Sequence, residues 1–291
     1  MPGPFDLEDA RAYRAWRAQK LERNRAQLEA QLVEIADPHA LSAPERAALL
    51  TRCSQSNFAV YACPPRAAAR QDAARMLAAQ LGLARLDRHH FAEDDGVSAI
   101  TPGGGRRGEF IPYTDRAIGW HTDGYYNPAV RRIRAMTLHC VRDALEGGES
   151  ALLDHEVAYI LLRDEDPDLI RALSAPDALI IPPRLEGEAV ARAAGTGPVF
   201  SVDPGDGKLH MRYTARGVNI AWKDDRATST ARAALEHVLQ DASPWILRLR
   251  LAPGMGIVCN NVLHARSAFR DAPEQHRLLY RVRSYDRIAE V

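Results

Sequence analysis

The sequence predicts a mainly β protein with inserted helices, on three observations. Apolar-alternating runs stand in both halves of the chain. Several are joined by the Pro, Gly and Asp punctuation that reverses a chain. Strands and helices do not alternate regularly, as a doubly wound parallel sheet would require. A closed or sandwiched antiparallel β core covered by helices fits this order. At 291 residues the chain is long enough to bury a sizeable core. No internal repeat or low-complexity linker divides it. We therefore expect one domain over 1–291, with an amino-terminal helical segment at about 7–50.

The elements follow in order. Residues 7–35 place Leu21, Leu28, Leu32 and Ile35 at helical spacings with charge between them, which predicts an amphipathic helix. "NFAVYACPP" reads as a strand ended by prolines, and "ARQDAARMLAAQLGL" as a helix with a glycine stop. "TPGGGRRGEF" is a glycine-rich loop. It lacks the Lys-Ser/Thr ending of a phosphate loop, and it reads as a mobile loop near a site. "EFIPYTDRAI" and "RRIRAMTLHCV" read as strands on either side of "GWHTDGYYN". "DHEVAYILLRDEDPDLIRALSA" predicts two short helices broken at Pro167. "PVFSVDPGDGKLHMRYT" predicts a hairpin, "DRATSTARAALEHVLQD" a helix, and "WILRLRLAPGMGIVCNN" two strands joined by a Pro-Gly turn. "RLLYRVRSYD" is the final strand.

Composition narrows the function classes. Lys+Arg and Asp+Glu both number 38, so bulk attraction to nucleic acid or an anionic membrane is not expected. The four cysteines, Cys53, Cys63, Cys140 and Cys259, include no C-x-x-C pair, which argues against a structural zinc site. The opening residues carry no basic region followed by an apolar run, and no stretch approaches a membrane span. The expectation is a reduced, cytoplasmic protein acting on a small molecule, with a second copy of the chain as a candidate partner.

His121 and Asp123 are two residues apart, between small and aromatic residues. Both are costly to bury unless something pairs with them. On a strand, residues i and i+2 point the same way, so imidazole and carboxylate would face one interior point. That is two thirds of the two-His-one-carboxylate face that binds iron(II) and leaves positions open. Ten histidines compete for the missing place. His89, His90 and His276 stand in polar surroundings and read as solvated. His139 and His155 stand in apolar stretches and read as core residues. His264, in "CNNVLHARSAF", follows one strand and leads towards the last. In that last strand Arg277, Arg281 and Arg283 share a face opposite Leu278, Tyr280 and Val282. Such arginines are either solvated at a sheet edge or aimed into a polar cavity, where a guanidinium fork suits a carboxylate.

The ordered set of His-Thr-Asp at 121–123, His264 in "HARSAF", and Arg277 resembles the iron(II)/2-oxoglutarate-dependent dioxygenases of the taurine dioxygenase superfamily. Within it, "HTDGYYNPAVRRIRAMTLHCVRDALEGGESALLDHEVAYILL" is most similar to the γ-butyrobetaine hydroxylase branch. The resemblance runs from about residue 110 to the end. It implies a double-stranded β-helix, or jelly roll. It implies His121, Asp123 and His264 as Fe(II) ligands, with O2 and 2-oxoglutarate as cosubstrates. Arg277 would pair the distal carboxylate of 2-oxoglutarate, helped by Ser150 of "GGES". The reaction implied is oxidative decarboxylation of 2-oxoglutarate to succinate and CO2, coupled to hydroxylation of a C–H. The chain departs from the branch in lacking the cysteines of its amino-terminal zinc domain. Tyr113 matches one position of its aromatic cage for trimethylammonium, but Arg283 falls at another, where it would repel a cation. Arg281, Arg283, Arg212 and Arg216 point instead to an anionic or zwitterionic substrate, with Tyr113 and Tyr125 as further contacts.

Three rivals stand beside this reading. A halogenase needs a small residue where Asp123 is. A metal- or 2-oxoglutarate-binding sensor would keep the site without turnover. A hydrolase would need a nucleophile in a pattern such as G-x-S-x-G, which the chain lacks.

Overall fold

The computed structural model describes residues 3–29, 32–65, 70–88, 95–186, 189–217, 220–240 and 244–288. Two sheets organise them. The larger runs in the order Val33–Glu34, Phe58–Ala62, Met255–Cys259, Ala135–Arg142, Leu278–Ser284, Val97–Ile100. Its first pairing is parallel and the rest antiparallel. The smaller runs Leu247–Leu249, Ser150–Leu153, Leu263–Arg266, Ile118–His121, antiparallel throughout. A short segment extends its edge: His121 bridges Thr214, and Ala215 N–H donates to the Trp120 carbonyl at 2.7 Å.

Alternation along the strands assigns each side chain to a layer. Met136, Ile257 and Leu279 of the larger sheet share a buried cluster with Leu152 of the smaller, so the two sheets pack face to face across it. The opposite face of the larger sheet carries Tyr61, Val258 and Val282. These pack against Leu49 of helix Ala43–Ser56 and Leu77 of helix Ala73–Gln80. The outer face of the smaller sheet, with Leu153 and Leu263, is covered by the helices His155–Glu165, Pro167–Leu173 and Arg226–Gln240. Most strands are thus buried on both faces, which explains the continuous apolar runs "FAVYA" and "SALL". Helix and strand contribute comparably to the described residues, so the fold is mixed rather than mainly β: helices cover both outer faces.

Local chemistry sets the helix ends. Ser42 and Glu45 form a reciprocal capping box on helix Ala43–Ser56, and Asn57 ends it at φ 61°. Asp154 caps His155–Glu165 through the Glu156 N–H. Asp166 both closes that helix and caps the next, which Pro167 opens.

Three expectations change. The helix expected over 7–35 is Ala10–Glu29, followed by the strand Val33–Glu34. Its buried residues are Tyr13, Lys20, Asn24 and Gln27, and Leu21 and Leu28 are only half-buried. A polar stripe faces inward because Lys20 Nζ meets Asp154 at 2.6 Å and Glu156 at 2.5 Å, both buried. "EFIPYTDRAI" is not a strand. Ile111–Tyr113 form a 3-10 turn and the strand begins at Ile118. The cause is Arg266, whose guanidinium collects the carbonyls of Thr114 (2.7 Å) and Arg116 (2.5 Å) and so takes them out of any ladder. The glycine-rich loop contains a 3-10 turn over Gly105–Glu109. His89 and His90 lie outside the described residues. No helix among the described residues is long and apolar enough to cross a membrane.

Candidate metal centre

His264 and His121 are direct cross-strand partners in the smaller sheet. His264 also pairs Leu152, whose side chain is in the inter-sheet cluster, so the imidazole faces the space between the sheets. The two rings lie 4.1 Å apart between centroids. Asp123 follows the strand end through Thr122, which is locked to Tyr213 by two hydrogen bonds. Gly124 then turns the chain at φ 67°. A Cβ there would meet Ile133 Cγ1 at 2.4 Å, so both the backbone angle and the space demand glycine. Candidate ligand atoms of His121, Asp123 and His264 all lie within 4.8 Å of one another.

The donor set is chemically prepared. His121 Nδ1 lies 2.9 Å from the Gly119 carbonyl, and His264 Nδ1 lies 2.9 Å from that of Val262. A carbonyl only accepts, so each Nδ1 carries the proton and each lone pair sits on Nε2. Burial, then the neighbouring His264, pushes His121 down to about 3, and burial lowers His264 as well. Burial alone would raise the Asp123 carboxyl. The charges of Arg281 and Arg283, then the two histidines, hold it well below the usual carboxylate range. Two neutral imidazoles and one carboxylate are the protonation states a metal needs. Asp123 Oδ1 accepts from Arg281 at 3.3 Å, while its buried Oδ2 has no hydrogen-bond partner among the described residues. An orphaned buried carboxylate oxygen beside two bare Nε2 atoms fits a divalent cation.

Sequence reasoning missed what holds Asp123. Asn261, at φ 51° and buried, accepts from the Asp123 N–H at 2.8 Å. Its amide donates to the Asp123 carbonyl at 3.0 Å and the Ile133 carbonyl at 2.7 Å. The signal available was the "NN" pair between two apolar strands, since asparagine tolerates left-handed backbone.

A second polar region lies between the same sheets. Ser150 and Arg266 are cross-strand partners. Arg266 and Arg277 both stack on Phe269, at 4.8 and 5.2 Å from the ring centre, and both are buried. Arg266 donates to carbonyls and forms no ion pair among the described residues, Asp115 acting on it only from a distance. Burial, then Arg277, draws it down to about 9. Arg277 forms no hydrogen bond or ion pair among the described residues, and burial lowers it too. Gly148, at φ 70°, leaves room: a Cβ there would lie 3.3 Å from Arg277 Nε. The structure thus brings Ser150 and Arg277 to one end of the inter-sheet space, joined by Arg266, which sequence reasoning did not single out.

The remaining predicted residues separate. Arg281 lies against Asp123. Tyr113 is buried in the inter-sheet cluster. Tyr125 is half-buried, stacked edge-on against Tyr126. Arg283 does not stand free to repel a cation: it pairs with buried Asp87 and donates to Tyr126 Oη at 3.0 Å. Arg212 is structural, donating to the carbonyls of Tyr125, Leu179, Gly195 and Gly197. Arg216 is exposed, with Nη1 3.5 Å from Tyr125 Oη. His139 is a core residue whose Nδ1 lies 2.7 Å from Tyr61 Oη. His155 is buried against the Leu209 carbonyl, and His276 is exposed.

Comparison with known proteins bears on the fold and the family. Two curated uridine-5′-phosphate dioxygenases are similar. One, from Amycolatopsis sp, is 34% identical over 166 residues, 56% of this chain and 58% of that protein. The other, from Streptomyces sp, is 32% identical over 196 residues, 64% of this chain and 67% of that protein. The aligned part of this chain therefore spans about three-fifths to two-thirds of those relatives. Asparagine oxygenase, solved with Fe(II), 3-hydroxyasparagine and succinate, shares the fold at TM-score 0.57 and 16% identity, over 92% of this chain and 90% of that one. A taurine dioxygenase from Burkholderia xenovorans gives TM-score 0.57 and 17% identity over 86% and 84%. Residues 19–283 match the profile described as "Taurine catabolism dioxygenase TauD, TfdA family", and the chain belongs to that family.

Proposed function

We propose that this protein is an Fe(II)/2-oxoglutarate-dependent dioxygenase that hydroxylates a C–H of a small anionic substrate, releasing succinate and CO2. In this reading the two facing sheets are the halves of a double-stranded β-helix and the whole chain works as one unit. The observation that carries it is the pairing of an orphaned carboxylate oxygen, Asp123 Oδ2, beside two neutral imidazoles with a buried guanidinium, Arg277, that has no anionic partner. The first has one oxygen paired with Arg281 and the other unmet, and the second has no anion in contact among the described residues.

His121, Asp123 and His264 would hold Fe(II). Arg277 and Ser150 would hold the distal carboxylate of 2-oxoglutarate, with Arg266 raising the local positive charge. Fe(II) held there would supply the O2-activating chemistry that couples decarboxylation of 2-oxoglutarate to hydroxylation of a C–H. The chain's own part is positioning. Arg281 fixes one oxygen of Asp123 and carries a charge that suits the anionic end of a substrate. Tyr125 and Tyr113 supply aromatic surface. Asp123 occupies the position a halide would need, which favours hydroxylation over halogenation. The uridine-5′-phosphate dioxygenases among its relatives make a nucleoside 5′-monophosphate the first substrate class to test.

The test is succinate release from the Fe(II)-loaded protein with 2-oxoglutarate in air. The panel is uridine 5′-phosphate, other nucleoside monophosphates, asparagine, taurine and γ-butyrobetaine. Stimulation by a phosphate ester with a hydroxylated or oxidised product supports the reading. Tight 2-oxoglutarate binding with no turnover on any member would favour the sensor reading instead.

A further inference from the structure

The corner that joins the two sheets carries an arrangement the family reading does not use. Residues 260–262 lead from the larger-sheet strand Met255–Cys259 to the smaller-sheet strand Leu263–Arg266. Two asparagines stand in it and face different ways. Asn261 uses its whole amide: Oδ1 accepts from the Asp123 N–H (2.8 Å), and Nδ2 donates to the carbonyls of Asp123 (3.0 Å) and Ile133 (2.7 Å). A flipped amide would set donor against donor and acceptor against acceptor, so the orientation is fixed by its partners. One side chain thus grips the main chain of Asp123 on both sides, as a neighbouring strand would, where the strand Ile118–His121 has already ended.

The neighbouring Asn260 holds the corner from behind. Its N–H donates to the Asn57 carbonyl at 2.7 Å, its amide donates to Asn57 Oδ1 at 3.3 Å, and its Oδ1 accepts from the Ile288 N–H at 3.1 Å. Asn57 Nδ2 donates to Asp154 Oδ1 at 2.9 Å, and Asp154 is the buried partner of Lys20 on the first helix. The corner is therefore anchored to three distant parts of the chain. His264 is three residues on, and its Nδ1 partner is the carbonyl of Val262 in the same corner. One short segment controls the main chain beneath two of the three ligands.

We propose that Asn261 is a positioning residue for the metal centre, acting through the main chain of Asp123 to keep its carboxylate within reach of both imidazoles. The proposal rests on the metal reading of His121, Asp123 and His264. Groups that orient metal ligands without touching the metal typically contribute tenfold to hundredfold in metal affinity.

The test is isothermal titration of Co(II) into the metal-free full-length chain, with the visible absorption of bound Co(II) as a second readout of coordination geometry. Asn261→Gly keeps the left-handed backbone comfortable and removes only the clamp. We expect Co(II) to bind about tenfold to hundredfold more weakly, with an altered visible spectrum. Leu235→Ala, in the helix cluster outside the smaller sheet, serves as a control for lost stability. If it weakens Co(II) binding as much as Asn261→Gly does, the proposal is overturned. If the glycine variant does not fold, Asn261→Asp keeps the acceptor for the Asp123 N–H and loses both donors. Its added negative charge itself attracts a cation, so geometry is the readout: the Co(II) spectrum should change, and a spectrum equal to wild type would overturn the idea. Wild-type protein that takes up no Co(II) would overturn the metal reading itself. Wild-type uptake matched by Asn261→Gly would remove only the role of Asn261.

Discussion

The two ends of the final strand, Leu278–Ser284, solve the same problem in opposite ways. Each buries a guanidinium. At the far end Arg283 meets Asp87, which also accepts from Tyr285, and donates to Tyr126. Burial alone would lower Arg283, but Tyr126, Asp123 and Asp87 together hold it above the ordinary arginine range. At the near end Arg277 and Arg266 share Phe269 and form no ion pair among the described residues; Asp271 and Asp143 act on Arg277, and Asp115 on Arg266, only from a distance, and burial lowers both. Arg283 has a carboxylate in contact within the protein, and among the described residues Arg277 has none. A buried charge with its partner built in is a structural element. A buried charge without one marks a place for a ligand of opposite sign. Arg281, between them, is the intermediate case, with its partner the metal-binding carboxylate itself.

The largest effect comes from removing the cation on which the proposed reaction depends. His264→Ala leaves two of three ligands. Iron-dependent succinate formation should fall at least a thousandfold, the scale of losing a group on which a reaction wholly depends. The melting temperature of the metal-free protein should stay within a few degrees, because that imidazole bonds only the carbonyl of its own turn. Succinate formation at near wild-type rate would place the metal elsewhere.

The next pair of variants separates the two ends directly. Arg277→Ala removes the charged partner we assign to the distal carboxylate of 2-oxoglutarate and leaves only Ser150. Breaking a buried ion pair costs about 3–5 kcal/mol, so anaerobic titration with Mn(II) present should show affinity for 2-oxoglutarate lowered about a hundredfold or more. Stability of the ligand-free protein should hold or improve, since a lone buried charge is gone. Asp87→Asn should do the reverse. It strands Arg283 and should cost about 3–5 kcal/mol of stability, read by urea unfolding, while sparing 2-oxoglutarate affinity. If both variants lose 2-oxoglutarate affinity equally, the contrast between the ends is wrong.

Arg281→Ala should fall between these. It should spare 2-oxoglutarate and raise the KM for an anionic substrate about tenfold to a hundredfold, on the scale of one lost charge-assisted contact. It also withdraws the charge that holds the Asp123 carboxyl low. Protons then compete with the metal at higher pH, so the acid limb of Mn(II) binding should move upward. A limb that stays in place would mean that Arg281 does not govern Asp123.

Part of this was legible in the sequence. His121, Asp123 and His264 could be read because metal chemistry restricts residue types, and because strand alternation and register carry those types to one point. Most helices and the hairpin at 200–211 were legible for the same local reasons. Lys20 and Asn24 were not, because their inward face is defined by Asp154, 130 or more residues away in the chain. Asp87, Arg266 and Asn261 were missed likewise, since each bonds to groups remote in sequence. "EFIPYTDRAI" misled because its alternation is real, while its carbonyls are claimed by Arg266. Sequence shows which arginines share a strand face, and only the fold shows which have their carboxylates.

The smallest expected effect tests the contrast again, within four residues of one segment. Arg212 and Arg216 both belong to "MRYTAR" and looked alike in sequence. Arg212 donates to four carbonyls and is drawn down to about 10 by burial, then by Arg192. Four of its five N–H groups are taken up by main-chain carbonyls, so it is held as a structural element. Arg216 follows Thr214, the residue opposite His121, and two residues along an extended segment return a side chain to the same side. Exposed, with Nη1 3.5 Å from Tyr125 Oη, it stands where the proposed reading would have it meet a substrate at the rim. An exposed charge is screened and gains little, so Arg216→Gln should raise the KM for an anionic substrate less than about tenfold. It should leave kcat, 2-oxoglutarate affinity and melting temperature unchanged. The KM effect should shrink further as salt rises from 50 to 500 mM, on the order of the change from a 14 Å to a 4 Å screening length. Arg212→Gln should instead lower the melting temperature by several degrees, with no salt dependence in KM. A stability loss at Arg216, or a salt-sensitive KM at Arg212, would reverse the assignment of the two.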